Sequence, residues 1–474
     1  MARKRTIAQS FTILLLGIGV LSAARATLPD EDHAPQRQQF QEALQALQAG
    51  NRERYRNLAA SLHDYPLYPY LEYTDLDHRV SRADPQEIRQ FMQTYADIPI
   101  AGLLQRRWQY SLARQGRWQT LVDNYQISND KTLRCHYANA LYRVGQQAQA
   151  HTQMENLWLT GRSLPSSCDP AIASWRKSGR LSDELVWQRI RLAIRAGQIR
   201  LALHLAEYLP ESERYWVNIW SKIRRDPEYL REVTNHFEEV DHPVLRWITV
   251  YGLSRMADRD PIRAAQYWTE LKPVYQFSAE EQERVERRLS LALVRSDQPE
   301  ARSWLGRLDL GEERSEVKIE HILSALQDRD WSTALDWLNQ LETGVAHSPR
   351  WRYWRARALD ELGREAEAHS LYQLSAVDRS YYGFLAADRG GNPYHFAHRP
   401  LLFGQDDLQS LQQIPALQRA AELYAIGLVA DARREWNHLL PRLNEDQLLR
   451  AAKLAEEWGW HDRVIMTLAR ARYW

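Results

Sequence analysis

The chain has 474 residues, and its 62 Lys and Arg are matched by 61 Asp and Glu. A balance this even leaves no field to recruit nucleic acid or an anionic membrane surface. Leu, Ala, Arg, Glu and Gln dominate, Gly and Pro are sparse and strand-like alternation is nearly absent, so the expected fold class is all-α.

Residues 1–26 read as an export signal. Arg3, Lys4 and Arg5 form a positive start, Phe11 to Leu21 an apolar core, and Ala24-Arg25-Ala26 the small-x-small pattern that precedes cleavage. The apolar core is shorter than the ~20 residues that span a bilayer, so no stable membrane anchor is expected. No cysteine follows the small residues to carry a lipid. The expected location is a bacterial periplasm; a secreted eukaryotic protein is the other source of this layout.

From residue 27 a single pattern recurs: an amphipathic helix, a small or polar turn, then a second helix with an alanine in its first turns. Gly145 is followed by Ala150, Gly197 by Ala202, Gly363 by Ala368 and Gly427 by Ala432, always five residues on. Two copies with polar turns precede Ala264 and Ala334, while Gly116 with Leu121 and Gly459 with Val464 fit more loosely. Two antiparallel helices joined by a short turn need a small side chain where they cross. No such hairpin buries its apolar face alone, so the pattern predicts a superhelix of stacked hairpins similar to tetratricopeptide arrays.

Two cysteines occur, Cys135 and Cys168. In an oxidising compartment a disulfide between them is expected; without a matching histidine pair they make a poor zinc site. The 18 tryptophans are expected to fill gaps between helices, as Trp118, Trp331, Trp351 and Trp354 do within helical segments; the competing role is as stacking platforms for sugar rings. Arg389-Gly390-Gly391-Asn392-Pro393 interrupts the helices and predicts a boundary between an array at 27–389 and a small helical module at 390–474. His395 and His398 in the following loop lack a carboxylate or thiol partner at helical spacing and read as ordinary loop histidines.

The stretch from Trp351 to Gly391 stands apart. Trp351, Trp354, Ala358, Leu359 and Leu362 lie on one helical face, and Ala368, Leu371 and Tyr372 share a face of the next helix. The run Ser380-Tyr381-Tyr382-Gly383-Phe384-Leu385-Ala386-Ala387-Asp388 is too aromatic to be explained by packing periodicity. No Gly-rich phosphate loop, HExxH, CxxC or GxSxG occurs in the chain. Glu211-Ser212 looks like a helix start with acids in its first turn. On the residues alone no catalytic site, metal site or cofactor is assigned.

Tyr353-Trp354-Arg355-Ala356-Arg357-Ala358, Gly363, Ala368, Tyr372 and the Ser380–Asp388 run together resemble the end of the superhelical domain of soluble lytic murein transglycosylases. The closing segment Arg463 to Trp474 resembles the end of that family's linker domain. The resemblance implies a periplasmic protein built as a ring-shaped α-superhelix, a helical linker and a lysozyme-like catalytic domain. It implies action on peptidoglycan glycan strands, cleaving the bond between N-acetylmuramic acid and N-acetylglucosamine without water to leave a 1,6-anhydromuramyl end. One glutamate of the catalytic domain serves that family as acid and then base.

The family's Glu-Ser motif in its catalytic context and its Gly-Leu-Met-Gln segment are absent. The expectation is therefore a superhelical and linker portion, inactive alone, whose partners are glycan strands and other cell-wall enzymes. The alternatives are a non-enzymatic periplasmic interaction scaffold and an enzyme completed in trans by a separate catalytic chain.

Overall fold

In the computed structural model, which describes residues 33–237, 241–296, 300, 315–396 and 398–473, every regular element is helical. The export signal read at residues 1–26 lies outside the described residues. Among the described residues no helix is long and apolar enough to cross a membrane.

Local rules set the helix starts. Asp130 accepts from the Thr132 amide at 3.0 Å to open Lys131–Arg143, and Ser182 accepts from Leu185 to open Asp183–Arg195. Ser278 and Glu281 close a reciprocal capping box ahead of Ala279–Val294, as Asn444 and Gln447 do ahead of Glu445–Glu457. Each such cap is worth about 1 kcal/mol. Glu211 begins the helix Glu211–Arg225 with Glu213 in its first turn, so Glu211-Ser212 is the helix start that the sequence predicts.

The hairpin reading holds in detail. Gly145, Gly197, Gly363 and Gly427 adopt φ of 83°, 71°, 74° and 78°, the left-handed conformation that ends a helix without a Cβ penalty. The alanine five residues later is sealed in each case: Ala150, Ala202 and Ala432 are 0% exposed and Ala368 1%. In the polar-turn copy ending at Ala334, Arg329 occupies the glycine position and itself takes φ 57°, at a cost of about 1 kcal/mol. Leu362 departs from expectation. It is 42% exposed, because the helix Pro349–Glu361 ends one residue before it and leaves it as the C-cap. In the looser final copy Val464 is only partly buried.

The described residues form two compact units. The longer, Leu112–Ala397, is a superhelix of stacked hairpins in which helices pack mainly on their neighbours along the chain. One continuous core extends from Cys135 to Leu293, threaded by Trp158, Trp175, Trp216, Trp220 and Trp268. Further clusters gather around Ile322, Leu338 and Trp351 and around Tyr353, Ala356 and Tyr372. No described tryptophan is exposed, as the packing role requires. Cys135 and Cys168 are disulfide-bonded in this core with Cα atoms 4.6 Å apart, both 0% exposed.

The other unit joins the first helices, from Ala34–Gln48 onward, to the helices from Gln405–Gln412 to His461–Ala471. Two buried carboxylates tie them together. Glu422 accepts from Arg37 Nε at 2.7 Å and Nη2 at 2.8 Å, and from the Tyr65 hydroxyl at 2.7 Å. Glu435, 0% exposed, accepts from Arg419 Nε and Nη2 at 2.9 and 3.0 Å and from the Tyr70 hydroxyl at 2.8 Å. Burial and the adjoining carboxylate push the Tyr65 and Tyr70 phenols well above their usual range.

Candidate functional site

The residues singled out between Trp351 and Gly391 assemble into one module of the longer unit. Pro349–Glu361 and Glu365–Ala376 form its hairpin, and Tyr381–Gly390 packs across both. Tyr353 is buried with Trp354, Tyr372 and Tyr382 around it at ring-centroid distances of 5.4, 6.1 and 5.8 Å. Trp354 also lies against the neighbouring Ile322–Trp351 cluster, so it seals the joint between two stacked hairpins.

The Ser380–Asp388 run has a physical explanation at Ser380, Tyr382 and Gly383. Ser380 caps the third helix, accepting from the Gly383 amide at 3.1 Å. Arg352 forms an ion pair with Asp378 and pins the preceding loop. That loop brings the Asp378 carbonyl so close to Gly383 that a Cβ there would collide with it, and would also stand 3.0 Å from the Ser375 carbonyl oxygen. Gly383 is fixed by close approach rather than by an unusual φ. Gly383→Ala is expected to cost about 1–3 kcal/mol, the range for overpacking against a neighbour that cannot yield. Urea denaturation measures it, and a loss below about 0.5 kcal/mol would show that the loop moves aside freely.

Tyr381 and Phe384 leave this core in another direction. Tyr381 is 70% exposed. Phe384 meets Tyr394 and Phe396 of the following loop at 5.4 and 5.6 Å, and these two rings lie 6.1 Å apart. Phe396 is 60% exposed, as is Val377, whose carbonyl is hydrogen-bonded to His395, so the module presents an apolar and aromatic surface. The Tyr394 hydroxyl donates to Asp388 at 2.5 Å, which raises its pKa above the ordinary phenol value.

This arrangement suits contact rather than proton transfer. Three of its carboxylates are engaged, Asp378 with Arg352, Asp388 with Tyr394, and Asp360 with Tyr372 and Arg357. Burial, followed by the charge of Asp360, pushes the Tyr372 phenol up to about 12. His395 is hydrogen-bonded through Nδ1 to the Val377 carbonyl at 3.0 Å. Among the described residues no group of three His, Cys, Asp or Glu is placed to hold a metal ion. Cys135 and Cys168 belong to a different core cluster and form no part of the module.

The sequence reading missed the Glu422 and Glu435 networks. Their only trace is a pair of charges, Arg419 and Glu422, within the otherwise apolar Leu417–Leu423 face. Tyr65 and Tyr70, which complete the networks, are more than 350 residues away, separated by 357 and 365 positions from their carboxylates.

The comparisons with known proteins agree with this architecture. The family model described as "Soluble lytic murein transglycosylase L domain" matches residues 410–474. A second, described as "Cucumovirus coat protein", matches residues 109–231, under half of the chain and all helical hairpins and turns here, and carries no functional reading.

The soluble lytic murein transglycosylase of Escherichia coli is 26% identical, across 98% of this chain and 72% of its own length. That of Salmonella typhimurium is 25% identical, across 93% and 68%. Among solved structures, an inactive mutant of the lytic transglycosylase Slt from Pseudomonas aeruginosa superposes with a TM-score of 0.76 at 33% identity. The match covers 92% of this chain and 71% of that one. The 70 kDa soluble lytic transglycosylase of Escherichia coli gives the same TM-score at 25% identity, and has also been solved in complex with bulgecin A. A third of the residues identical along nearly the whole described chain, in the same succession of hairpins, places this chain in the soluble lytic murein transglycosylase family.

Proposed function

We propose that the chain is the superhelical and linker portion of a periplasmic lytic transglycosylase and that it engages peptidoglycan glycan strands. In this reading residues 27–389 form the superhelical domain and 390–474 the linker, the latter supported by the match of the L domain to 410–474. The observation that carries the proposal is the continuous likeness to the Pseudomonas aeruginosa enzyme over 92% of this chain. The reaction of the family, cleavage between N-acetylmuramic acid and N-acetylglucosamine to leave a 1,6-anhydro end, is the one this portion serves. No residue of the chain is given the role of proton donor.

The aromatic surface of Tyr381, Phe384, Tyr394 and Phe396 is where other parts of the cell-wall machinery meet the superhelix. The export signal at 1–26 delivers the chain to the compartment that holds the substrate. A protein-only scaffold is the weaker alternative, because every relative named above is a murein transglycosylase.

Co-sedimentation with purified sacculi tests the reading. Saturable retention of the chain in the pellet, released by soluble muropeptides, is expected. A chain that stays in the supernatant at all sacculus concentrations overturns it.

A further inference from the structure

A cavity of about 470 Å³ opens within the longer unit, far along the chain from the aromatic module. Its walls come from four helices: Arg191 and Arg195 of Asp183–Arg195, Trp220 of Glu211–Arg225, Trp247 and Tyr251 of Pro243–Ala257, and the first turn of Ala279–Val294 with Arg284. Three guanidinium groups therefore face one space.

The two acids that share the cavity are each bonded to a neighbour on their own helix or its cap. Glu280 pairs with Arg284 at 2.8 Å. Glu281 closes the cap of its own helix, accepting from the Ser278 amide at 2.9 Å. Arg191 and Arg195 make no hydrogen bond or ion pair with any described residue. Arg191 is held only by lying over the Trp247 ring, 4.2 Å from its centroid. Burial, and then the charge of Arg284, lowers the pKa of both, and the charge of Glu280, with Glu281 for Arg191, offsets only part of that.

A second feature is independent of charge. Trp220 is 4% exposed and lines the cavity, yet its indole Nε1 is buried without a hydrogen-bond partner. Leaving a buried donor unsatisfied costs free energy that a ligand acceptor recovers. Guanidinium groups at i and i+4, an unspent N–H and the half-buried ring of Tyr251 together suit a carboxylate attached to a ring or short chain.

We propose that this cavity binds the carboxylate of a peptidoglycan fragment, with Arg191 and Arg195 holding the oxygens and the Trp220 indole N–H donating to the ligand. The proposal rests on the peptidoglycan reading above and adds to it a defined point of attachment on the superhelix itself. The carboxylate of a muramyl peptide lies on its peptide, because the lactyl carboxyl of the sugar is taken up in the amide bond to the first alanine.

Isothermal titration of the full chain tests this with three probes: N-acetylmuramyl-L-alanyl-D-isoglutamine, the dipeptide alone, and di-N-acetylchitobiose, which has no carboxylate. The muramyl peptide is expected to bind saturably, more weakly as salt rises, and chitobiose not to bind. Arg195→Gln, at an exposed and unpartnered position, and Arg191→Gln with Arg195→Gln are expected to weaken binding by about tenfold or more, one lost charge-assisted contact being worth that factor.

Equal binding of the dipeptide alone supports the site and shows that the sugar adds nothing to its recognition. Saturable binding that neither variant weakens overturns the proposal, as does the absence of binding by any carboxylated probe. If sacculi still retain the wild-type chain in that case, only this site falls. If retention is lost as well, the peptidoglycan reading falls with it.

Discussion

Glu435→Ala is expected to destabilise the unit that joins the first helices to the last by about 3–5 kcal/mol, the range for leaving a buried charge without its partner. Arg419 has 7% of its side chain exposed and Glu435 none, and the two are joined by a bidentate contact at 2.9 and 3.0 Å. Removing the carboxylate strands the guanidinium in a place water does not reach, and also frees the Tyr70 hydroxyl. Tyr70→Phe removes one hydrogen bond while leaving the ion pair intact, and is expected to cost only about 1 kcal/mol. Urea unfolding curves for the two variants separate these terms. A Glu435→Ala loss no larger than that of Tyr70→Phe would mean that Arg419 finds another partner.

The same network predicts the alkaline limb of stability. Tyr65 and Tyr70 have folded pKa values raised above the ordinary phenol value of 10.0, first by burial and then by the carboxylate beside each. Below pH 10 both states keep their phenols protonated, and the contribution to stability is complete. As pH rises past 10 the unfolded chain ionises while the folded one does not, so stability falls until the folded values are reached. Tyr70→Phe should flatten that fall.

How much of this was legible in the sequence depends on the length of chain over which each signal is written. The Gly-to-Ala spacing at Gly197 and Ala202, or Gly363 and Ala368, is local: a left-handed turn and a close helix crossing are both specified within a few residues. The structure places every one of those alanines out of solvent. Leu362 misled because helical periodicity does not say where the helix stops. Gly383 was recognisable as part of a motif, but the reason for it, the Asp378 carbonyl, is set by the path of a loop.

The buried networks were illegible for a different reason. Arg37 meets Glu422 across 385 residues, and charged residues are too frequent on these helices for one pair to stand out. The cavity at Arg191 and Arg195 was hidden likewise, since four helices contribute to it and no one segment carries the pattern.

The disulfide is the case in which a long-range contact could be inferred, because two cysteines leave a single pairing. Its effect should be large. The bridge closes a loop with a sequence separation of 33, which runs from within the helix Lys131–Arg143 through the whole of Gln147–Trp158. On the chain-entropy account, restricting the unfolded ensemble by a loop of this length stabilises the fold by about 3–4 kcal/mol. Cys135→Ser with Cys168→Ser is expected to lose about that much, with a further penalty because both hydroxyls would sit in a core where each sulfur is now fully buried. Cys135→Ala with Cys168→Ala avoids the polar term, so the difference between the two double variants isolates it. Reductant added to the wild-type chain should shift its urea midpoint toward that of the alanine variant, once unfolding exposes the bond. An alanine double variant as stable as the wild type would show that this hairpin is held by the packing of Trp158 and Trp175, 5.6 Å apart in the same core, rather than by the covalent link.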